Sequence, residues 1–379
     1  MKRKRVILFS HDGSGLGHLR RISRIAEKLQ ENFVTLIITG MRNALWMIPQ
    51  NCEFCYLPSW DSLRRKRADY WKKDVWLDID LDEAVQFRSE MLEKVICSFS
   101  PDALLVDYLP FGLHNELESI IRKSKALKYL ILRGIIDTSD AEIFFGEKSG
   151  VIADLYDRVI VTADKKIIDI ENEYLLDKRF TQKTMYAGYV VPGEINREKI
   201  RTERGVENGK WIVCSAGGGK ESDLFIDECI KASEKFTDIQ FDIIRGPLSN
   251  YNSYGIDYSL TKNCKVHRFL PNLADLNHSC DIMVTSGGYN SLLEGCLGGA
   301  KIIVIPNQIG LDDEQVNNST KLANYFPITL LKNRNSLSEA ISQILKGSDP
   351  VFLNSGNLLS QKGTDNISEI LSEDLCLFH

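Results

Sequence analysis

Short apolar, β-branched runs alternate with longer amphipathic stretches along nearly the whole chain. This alternation is typical of parallel strands joined by crossover helices, so it predicts an α/β fold. Ile22, Ile25 and Leu29 illustrate the helical part, because they form an apolar stripe at helical spacing. The predicted strands are residues 5–10, 33–39, 53–57, 103–107, 128–132, 158–161, 211–215, 241–245, 265–268, 282–285 and 301–305. The predicted helices include residues 19–30, 224–235, 291–297 and 315–324.

The length of the chain, 379 residues, exceeds the size at which a single hydrophobic core usually splits into domains. Residues 185–194, MYAGYVVPGE, hold two glycines and a proline and lack a helical period, so they are interpreted as a linker. The strand-helix alternation restarts after them. We therefore predict a first Rossmann-like domain at residues 1–187 and a second at residues 188–350. Residues 351–379 are predicted to form a helical tail that packs back towards the first domain.

Charge and composition exclude several classes of protein. A net charge of −5 argues against a general affinity for nucleic acid, because a surface that follows phosphates needs a basic excess. No apolar run approaches the roughly 20 residues that span a bilayer. Nine cysteines, many of them inside apolar runs, indicate reduced thiols and a cytoplasmic protein. Cys52 and Cys55 form a lone C-x-x-C without a second pair, which favours a structural role over a metal or redox site.

Residues 61–82 interrupt the alternation with a mixture of basic and aromatic side chains, DSLRRKRADYWKKDVWLDIDLD. Such a mixture could bind an anionic acceptor or make a peripheral contact with an acidic membrane surface. It could equally be a solvated excursion whose aromatic side chains pack on the domain. Both interpretations stay open at the level of the sequence.

A first glycine cluster, SHDGSGLGHLRR at residues 10–21, joins the first predicted strand to the first predicted helix. Glycines such as Gly15 and Gly17 let the backbone turn tightly, and the amide groups at a helix start favour an anion. The spacing is G-x-G-x-G rather than G-x-G-x-x-G, and no P-loop lysine follows. A nicotinamide-dependent dehydrogenase and a P-loop kinase are therefore disfavoured.

Polar side chains at strand ends of the first half are candidates for catalysis. His18, at a helix start, would be kept neutral by the helix dipole and could act as a general base, or it could only cap the loop. His11 could make a second polar contact. Asp107, Arg133 and Asp137 could contact an acceptor or assist His18, or they could form loop-capping ion pairs. Asp107 is also a rival base.

A second glycine cluster follows the strand predicted at residues 211–215. It contains Gly217, Gly218 and Gly219, followed by Lys220. Their backbone amides and the ammonium group could bind a phosphate, although a tight turn without a ligand is an equal alternative.

A third glycine cluster lies within residues 284–318. It combines several hydrogen-bond donors at the start of one predicted helix. Ser286, Gly287, Gly288, Asn290 and Ser291 would direct hydrogen-bond donors at a diphosphate. One turn later, Glu294 could accept hydrogen bonds from two ribose hydroxyls. The pair Glu314 and Gln315 could do the same for a hexose.

The segment SGGYNSLLEGCLGGAKIIVIPNQIGLDDEQVNN resembles the donor-binding signature of GT-B glycosyltransferases. These include the bacterial N-acetylglucosaminyltransferase that completes the peptidoglycan lipid precursor and the plant small-molecule glycosyltransferases. FSHDGSGLGHLRR resembles the first glycine loop of the bacterial group, of uncharacterised predicted glycosyltransferases and of the UDP-sugar hydrolase of pseudaminic acid synthesis. The resemblance implies two Rossmann-like parallel-sheet domains that face each other across a cleft.

Residue by residue, the resemblance implies that His18 lies near the reacting centre and that the backbone at Phe269 and Leu270 meets the nucleobase. It places the diphosphate at residues 286–291, the ribose at Glu294 and the donor sugar at Glu314 and Gln315. Ser286 stands where the plant signature has a histidine, so a hydroxyl replaces an imidazole at the phosphates.

Together these features predict an inverting, metal-independent hexosyltransferase. It would use a nucleoside-diphosphate sugar as co-substrate, with UDP implied by the resemblance, a small-molecule or lipid-linked acceptor, and no further cofactor. A nucleotide-sugar hydrolase on the same scaffold, a non-hydrolysing UDP-N-acetylhexosamine 2-epimerase and a catalytically silent sugar-nucleotide-binding module are the alternatives.

Overall fold

A computed structural model describes residues 2–12, 15–60, 79–136, 140–218, 222–247, 249, 257–306, 314–347 and 359–377. The chain divides into two compact units. The first comprises Met1–Gly134, Asp140–Val190 and Gln361–His379, and the second comprises Ile135–Ser139 and Val191–Ser360. Each unit is built on a largely parallel sheet flanked by helices, so the predicted fold class of two parallel-sheet α/β domains is confirmed. The division at Val190 and Val191 falls inside the segment interpreted as a linker, three residues beyond the expected boundary.

The described part of the first unit holds a seven-stranded sheet in the order β3-β2-β1-β4-β5-β6-β7, with all neighbours parallel. Most of its strands are buried apolar runs, as expected for a parallel sheet covered on both faces. The strands are β1 (Arg5–Ser10), β2 (Val34–Thr39), β3 (Glu53–Tyr56), β4 (Ala103–Asp107), β5 (Leu127–Leu132), β6 (Arg158–Val161) and β7 (Thr184–Tyr186).

Helices of the first unit pack their apolar faces on this sheet, and none of the described helices in either unit is long and apolar enough to cross a bilayer. They are α1 (Gly17–Leu29), a 3-10 helix (Arg42–Met47), α2 (Leu81–Phe99), α3 (Glu118–Lys123), α4 (Ala141–Phe144), α5 (Glu147–Leu155), α6 (Ile170–Glu173) and α7 (Lys178–Gln182).

The second unit repeats the architecture. Its described sheet has the order β10-β11-β9-β8-β12-β13-β14, parallel except for the antiparallel pair of β10 and β11. The strands are β8 (Trp211–Ser215), β9 (Gln240–Ile244), β10 (Asp257–Thr261), β11 (Cys264–His267), β12 (Ile282–Thr285), β13 (Lys301–Val304) and β14 (Ile328–Leu330). The helices are α8 (Arg197–Arg204), α9 (Asp223–Lys235), α10 (Leu273–Ser279), α11 (Tyr289–Gly298), α12 (Glu314–Ala323), a 3-10 helix (Arg334–Ser336) and α13 (Leu337–Leu345).

The last described helix, α14 (Gly363–Leu377), belongs to the first unit. Asp374 accepts hydrogen bonds from the Tyr129 hydroxyl at 3.1 Å and from Arg158 Nη2 at 3.1 Å. The Lys28 ammonium lies 3.0 Å from Asp365 at the other end of the helix. These contacts attach the C-terminal helix to the strands and to α1. Residues 351–358 of the predicted tail lie outside the described residues.

The helix α2 was missed by the sequence analysis, which assigned residues 61–82 to one irregular segment. Residues 61–78 lie outside the described residues, but the helix begins at Leu81. Asp80 is exposed, as expected, and its side chain caps the helix by accepting a hydrogen bond from the Glu83 amide at 2.9 Å. The buried residues of α2 are Ala84, Arg88, Leu92 and Ile96. These residues are spaced four apart, and the charged Arg88 among them interrupts the apolar pattern by which a helix is recognised in a sequence.

Arg88 is the centre of a buried ionic cluster that holds the chain before and after residues 61–78. Its Nη2 lies 2.8 Å from Asp12 Oδ1 and 3.2 Å from Glu116 Oε1, and all three side chains are almost fully buried. Asp12 also accepts from the Trp60 amide at 2.7 Å, while Glu116 accepts from the Trp60 indole at 3.2 Å. Asp12 lies within the first glycine cluster, directly before its first glycine. The ionic cluster therefore fixes the point at which that loop leaves β1.

Replacing Arg88 with Met should destabilise the first unit by about 3–5 kcal/mol, because two carboxylates would stay buried without their cation. Urea unfolding followed by circular dichroism measures the change. The matched control is Arg122→Met, whose pair with Glu118 is solvent-exposed and worth less than about 1 kcal/mol. Equal shifts in the two variants would contradict the assignment of a buried ionic anchor.

Candidate active site

His18 and Asp107 lie at the point where the strand order of the first sheet changes direction. The chain leaves β1 towards β2 and β3, then returns to add β4 on the other side. Ligands of open α/β sheets bind at the carboxyl ends of strands at such a point. Asp107 is the last residue of β4, and His18 is the second residue of α1, which follows β1. His18 Nδ1 lies 2.6 Å from Asp107 Oδ2, so the structure brings the two predicted catalytic residues together.

Arg21 completes this group and was not predicted. Its Nε and Nη2 lie 2.8 and 2.7 Å from Asp107 Oδ1. The signal in the sequence was spacing, since residues three apart share one face of a helix and Arg21 follows His18 by three. The guanidinium neutralises a carboxylate that is completely buried. It leaves the other oxygen of Asp107 for the imidazole.

The pKa values follow from burial and charge. Desolvation, and then the positive charges of Arg21 and Arg133, hold the pKa of His18 well below its usual value. Burial raises the pKa of Asp107, and Arg21 acts in the opposite direction. A neutral imidazole whose Nδ1–H donates to Asp107 keeps a lone pair on Nε2. The His18 side chain is 15 % exposed, so part of the ring can meet a bound group.

Aromatic rings surround the pair. The His11 ring, which follows β1, lies 4.0 Å from the His18 ring between centroids, and the Tyr108 ring lies 5.6 Å from that of His18. Tyr108 directly follows Asp107 with φ of 60°, a left-handed conformation that is strained for a bulky residue and typical of functional sites. Its hydroxyl donates to Asp140 at 2.8 Å, and the Arg133 guanidinium lies 4.5 Å from its ring centroid. The sequence analysis missed Tyr108.

Gly15 and Gly17 lead into this group. Gly17 is the first residue of α1, and the cap residue Leu16 supplies no side-chain hydrogen bond to the helix. The helix therefore begins two residues before the predicted start, and its first amides include that of His18. A Cβ at Gly15 would meet nothing within 4 Å. Asp137, predicted as an acceptor contact, lies outside the described residues.

The ligand atoms of His11, His18 and Asp107 all lie within 4.8 Å of one another, a spacing that could hold a metal ion. The surrounding charges oppose it. Asp107 is already paired with Arg21, and the charges of Arg21 and Arg133 lower the pKa of both histidines. A cation would enter a positive environment, so the group favours a neutral or anionic ligand.

Two glycine clusters flank the corresponding change of strand direction in the second unit, between β8 and β12. Gly217 and Gly218 follow β8, and Gly217 has φ of 72°. A Cβ on Gly246, after β9, would lie 2.6 Å from the Gly217 carbonyl oxygen, so the two turns are in contact and the second must be glycine. Gly219 and Lys220 lie outside the described residues.

The third cluster follows β12 and begins α11. Gly287 has φ of 94°, and a Cβ there would lie 2.8 Å from Ser319 Oγ and 3.0 Å from the Gln315 carbonyl oxygen. The turn therefore packs on the first turns of α12, which carries Glu314 and Gln315. Gly288 caps α11 without a side-chain hydrogen bond. Asn290 lies in this first turn and is half-buried, whereas Ser286 and Ser291 are buried.

Glu294 departs from what the sequence led us to expect. Its side chain is completely buried, and its Oε2 accepts a hydrogen bond from Asn277 Nδ2 of α10 at 2.9 Å. A ribose would reach the carboxylate only if one of these side chains rotated. Phe269 and Leu270 are half-buried and lie between β11 and α10, at the same carboxyl edge of the sheet.

The lowered pKa values of His11 and His18 predict pH-dependent stability. An unfolded histidine has a pKa of about 6.5, so below this pH the unfolded chain binds more protons than the folded one. Stability is then complete above about pH 6.5 and decreases below it by up to about 1.4 kcal/mol per pH unit for each histidine. Thermal unfolding of the wild type and of His11→Gln/His18→Gln between about pH 5.5 and 7.5 measures this. An equal slope in both proteins would contradict it.

Part of the chain matches a known domain family. Residues 212–364 match the glycosyltransferase family 28 C-terminal domain. This range covers most of the second unit, including β8, the two glycine clusters and α11. Among curated proteins, none matches the chain in sequence.

Solved structures of glycosyltransferases share the fold of the whole chain. The glycotransferase of kitacinnamycin superposes with a TM-score of 0.67 at 14 % identity, covering 98 % of this chain and 99 % of that one. Arabidopsis thaliana UGT89C1 complexed with quercetin gives 0.65 at 13 %, covering 99 % and 100 %. Phytolacca americana UGT2 complexed with UDP-2fluoro-glucose and pterostilbene gives 0.62 at 13 %, covering 97 % and 94 %. The chain therefore has the GT-B fold, and the family match supports a glycosyltransferase of this type. The resemblance to the bacterial N-acetylglucosaminyltransferase in particular stays a prediction.

Proposed function

We propose that the protein is an inverting glycosyltransferase that moves a hexose from a nucleoside-diphosphate sugar, UDP-linked, to an acceptor hydroxyl. The observation that carries the proposal is the buried pair of His18 and Asp107, with Nδ1 and Oδ2 2.6 Å apart, at the change of strand direction in the first unit. A neutral imidazole oriented by a buried carboxylate is what removal of a hydroxyl proton requires.

The donor is assigned to the second unit. Two observations support this assignment: the match of residues 212–364 to a glycosyltransferase C-terminal domain, and the uncapped start of α11 beside the glycine turns. Amides at the start of a helix suit a diphosphate, because the helix dipole also favours negative charge there. UDP is proposed because the structurally similar Phytolacca protein holds a UDP-sugar analogue.

The reaction is a single displacement. The acceptor oxygen attacks the anomeric carbon while the bond from that carbon to the phosphate oxygen breaks, which inverts the configuration. The hydroxyl proton passes to His18 Nε2, and Asp107 stabilises the resulting imidazolium. The nucleoside diphosphate leaves with its charge held by helix amides of the second unit. Because these dipoles are proposed to stabilise the leaving group, no divalent metal is required, and turnover should persist in EDTA.

The acceptor is proposed to bind the first unit and to be a small or lipid-linked molecule. Similar structures contain quercetin and pterostilbene, which are hydroxylated small molecules. We place the protein in the cytoplasm because the nine cysteines are all free. The membrane contact suggested by residues 61–82 stays a prediction, since most of that segment lies outside the described residues.

The test begins with a thermal-shift panel of nucleoside diphosphates and their sugars, because a ligand of the folded state raises stability. With the best donor, His18→Ala and Asp107→Asn should each lower kcat by about 10²–10⁴-fold, since both remove the oriented base. Donor affinity should be unchanged. His114→Ala is the control, because that ring packs on Trp60. Full activity in His18→Ala would refute the proposal, and rapid release of free sugar without an acceptor would identify a hydrolase.

A second test concerns Glu294. If its carboxylate rotates to meet the ribose, Glu294→Gln should weaken UDP binding by about 10-fold and narrow the preference for UDP over 2′-deoxy-UDP. Isothermal titration calorimetry measures both affinities. Glu228→Gln, on α9 of the same unit, is the control. A fall in thermal stability with an unchanged preference would show instead that the carboxylate serves only its contact with Asn277.

A further inference from the structure

His11 is a buried side chain that the proposed mechanism does not use. Its exposed fraction is 4 %, and neither ring nitrogen has a hydrogen-bond partner among the described residues. Burying two such atoms without partners is unfavourable, and the missing bonds are commonly supplied by an ordered water, an ion or a ligand. The ring lies 4.0 Å from that of His18 and 6.5 Å from that of Tyr108, so any such ligand would also touch the proposed base.

The charge state of His11 restricts the chemistry of this ligand. Desolvation by burial is the largest cause that lowers the pKa of His11, so its imidazole is neutral. A neutral imidazole carries one N–H donor and one lone pair. An anion could use only the donor, and the lone pair would repel it. A hydroxyl group can both donate and accept, so it satisfies either nitrogen.

The distance between the two rings indicates where this hydroxyl lies. His18 is proposed to take the proton of the attacking hydroxyl, and His11 adjoins it with the rings inclined at 53°. Oxygens on neighbouring carbon atoms are separated by about the length of a hydrogen bond. Two adjacent imidazoles are therefore matched to two adjacent hydroxyls, rather than to the single hydroxyl of a simple alcohol or phenol.

We propose that His11 binds a second hydroxyl of the acceptor, on the carbon next to the attacking one, so that the enzyme selects acceptors with a vicinal diol. This proposal rests on the proposed transferase function. It makes His11 a specificity-determining residue, while His18 and Asp107 act on the attacking hydroxyl. It assigns the acceptor to polyhydroxylated rings such as pyranosides and cyclitols.

The experiment compares acceptors that differ by one hydroxyl. With the donor found by thermal shift, cyclohexane-1,2-diol and methyl α-D-glucopyranoside should be glycosylated with a kcat/KM at least about 10-fold above that of cyclohexanol. His11→Phe keeps the ring but has no polar atom, so it should lower kcat/KM for the diols to the cyclohexanol value. His11→Gln keeps one donor and one acceptor and should retain part of the preference. In His11→Phe the kcat/KM for the diols should therefore fall further than that for cyclohexanol.

The outcomes separate this inference from the proposed function. If His11→Phe preserves the diol preference better than His11→Gln, the ring serves packing and the inference fails. It fails also if diols and cyclohexanol lose kcat/KM equally. Finding one equivalent of zinc that is lost in His11→Gln would likewise overturn it. Water attack on the donor while neither alcohol is glycosylated would instead count against the transferase assignment. If the wild type consumes no sugar-nucleotide donor with any acceptor, the transferase assignment itself is refuted.

An independent readout follows the side chain itself. Long-range ¹H–¹⁵N spectra of the histidine rings should show the His11 signals move on addition of methyl α-D-glucopyranoside and stay unchanged with cyclohexanol. The His11→Gln spectrum assigns those signals. Unchanged His11 signals at saturating glucoside would contradict the proposal without any measurement of catalysis.

Discussion

Two side chains of the first helix converge on the carboxylate of Asp107, and the geometry of the first site depends on this interaction. Arg21 neutralises one oxygen at 2.7 Å while His18 engages the other at 2.6 Å. A buried carboxylate without such partners would be costly, so the three residues hold one another in place. Because Asp107 ends β4 and the other two lie on α1, the interaction also joins the halves of the sheet on either side of its change of direction.

A second buried ionic cluster fixes the loop that precedes this site. Arg88 holds Asp12, whose neighbour His11 packs its ring against that of His18. Asp12 and His11, adjacent residues after β1, therefore face different environments: the Asp12 carboxylate is paired with Arg88, whereas both ring nitrogens of His11 are without hydrogen-bond partners among the described residues. Both clusters rely on the same short turn at the end of β1.

The alternation of apolar runs was sufficient to predict most of the sheet. The bounds predicted for β1, β4, β6, β8 and β12 are those of the structure. Helix α2 was missed because Arg88 stands in its buried stripe, and an apolar period cannot reveal a buried charge whose partners come from Asp12 and Glu116. The short edge strands β7 and β14 were missed as well, since three-residue strands carry too little pattern.

The sequence by itself determined the fold class, the linker, and the residue types at each strand end, because these depend on local periodicity and on glycine spacing. The sequence indicated His18 and Asp107 as candidate catalytic residues, but it could not show that their side chains are in contact. The tertiary structure decided that pairing, the contact of Arg21 with Asp107, the lack of hydrogen-bond partners for the His11 ring nitrogens among the described residues, and the burial of Glu294 against Asn277. Each of these depends on contacts between distant segments, whose distances and solvent exposure exist only once the chain has folded.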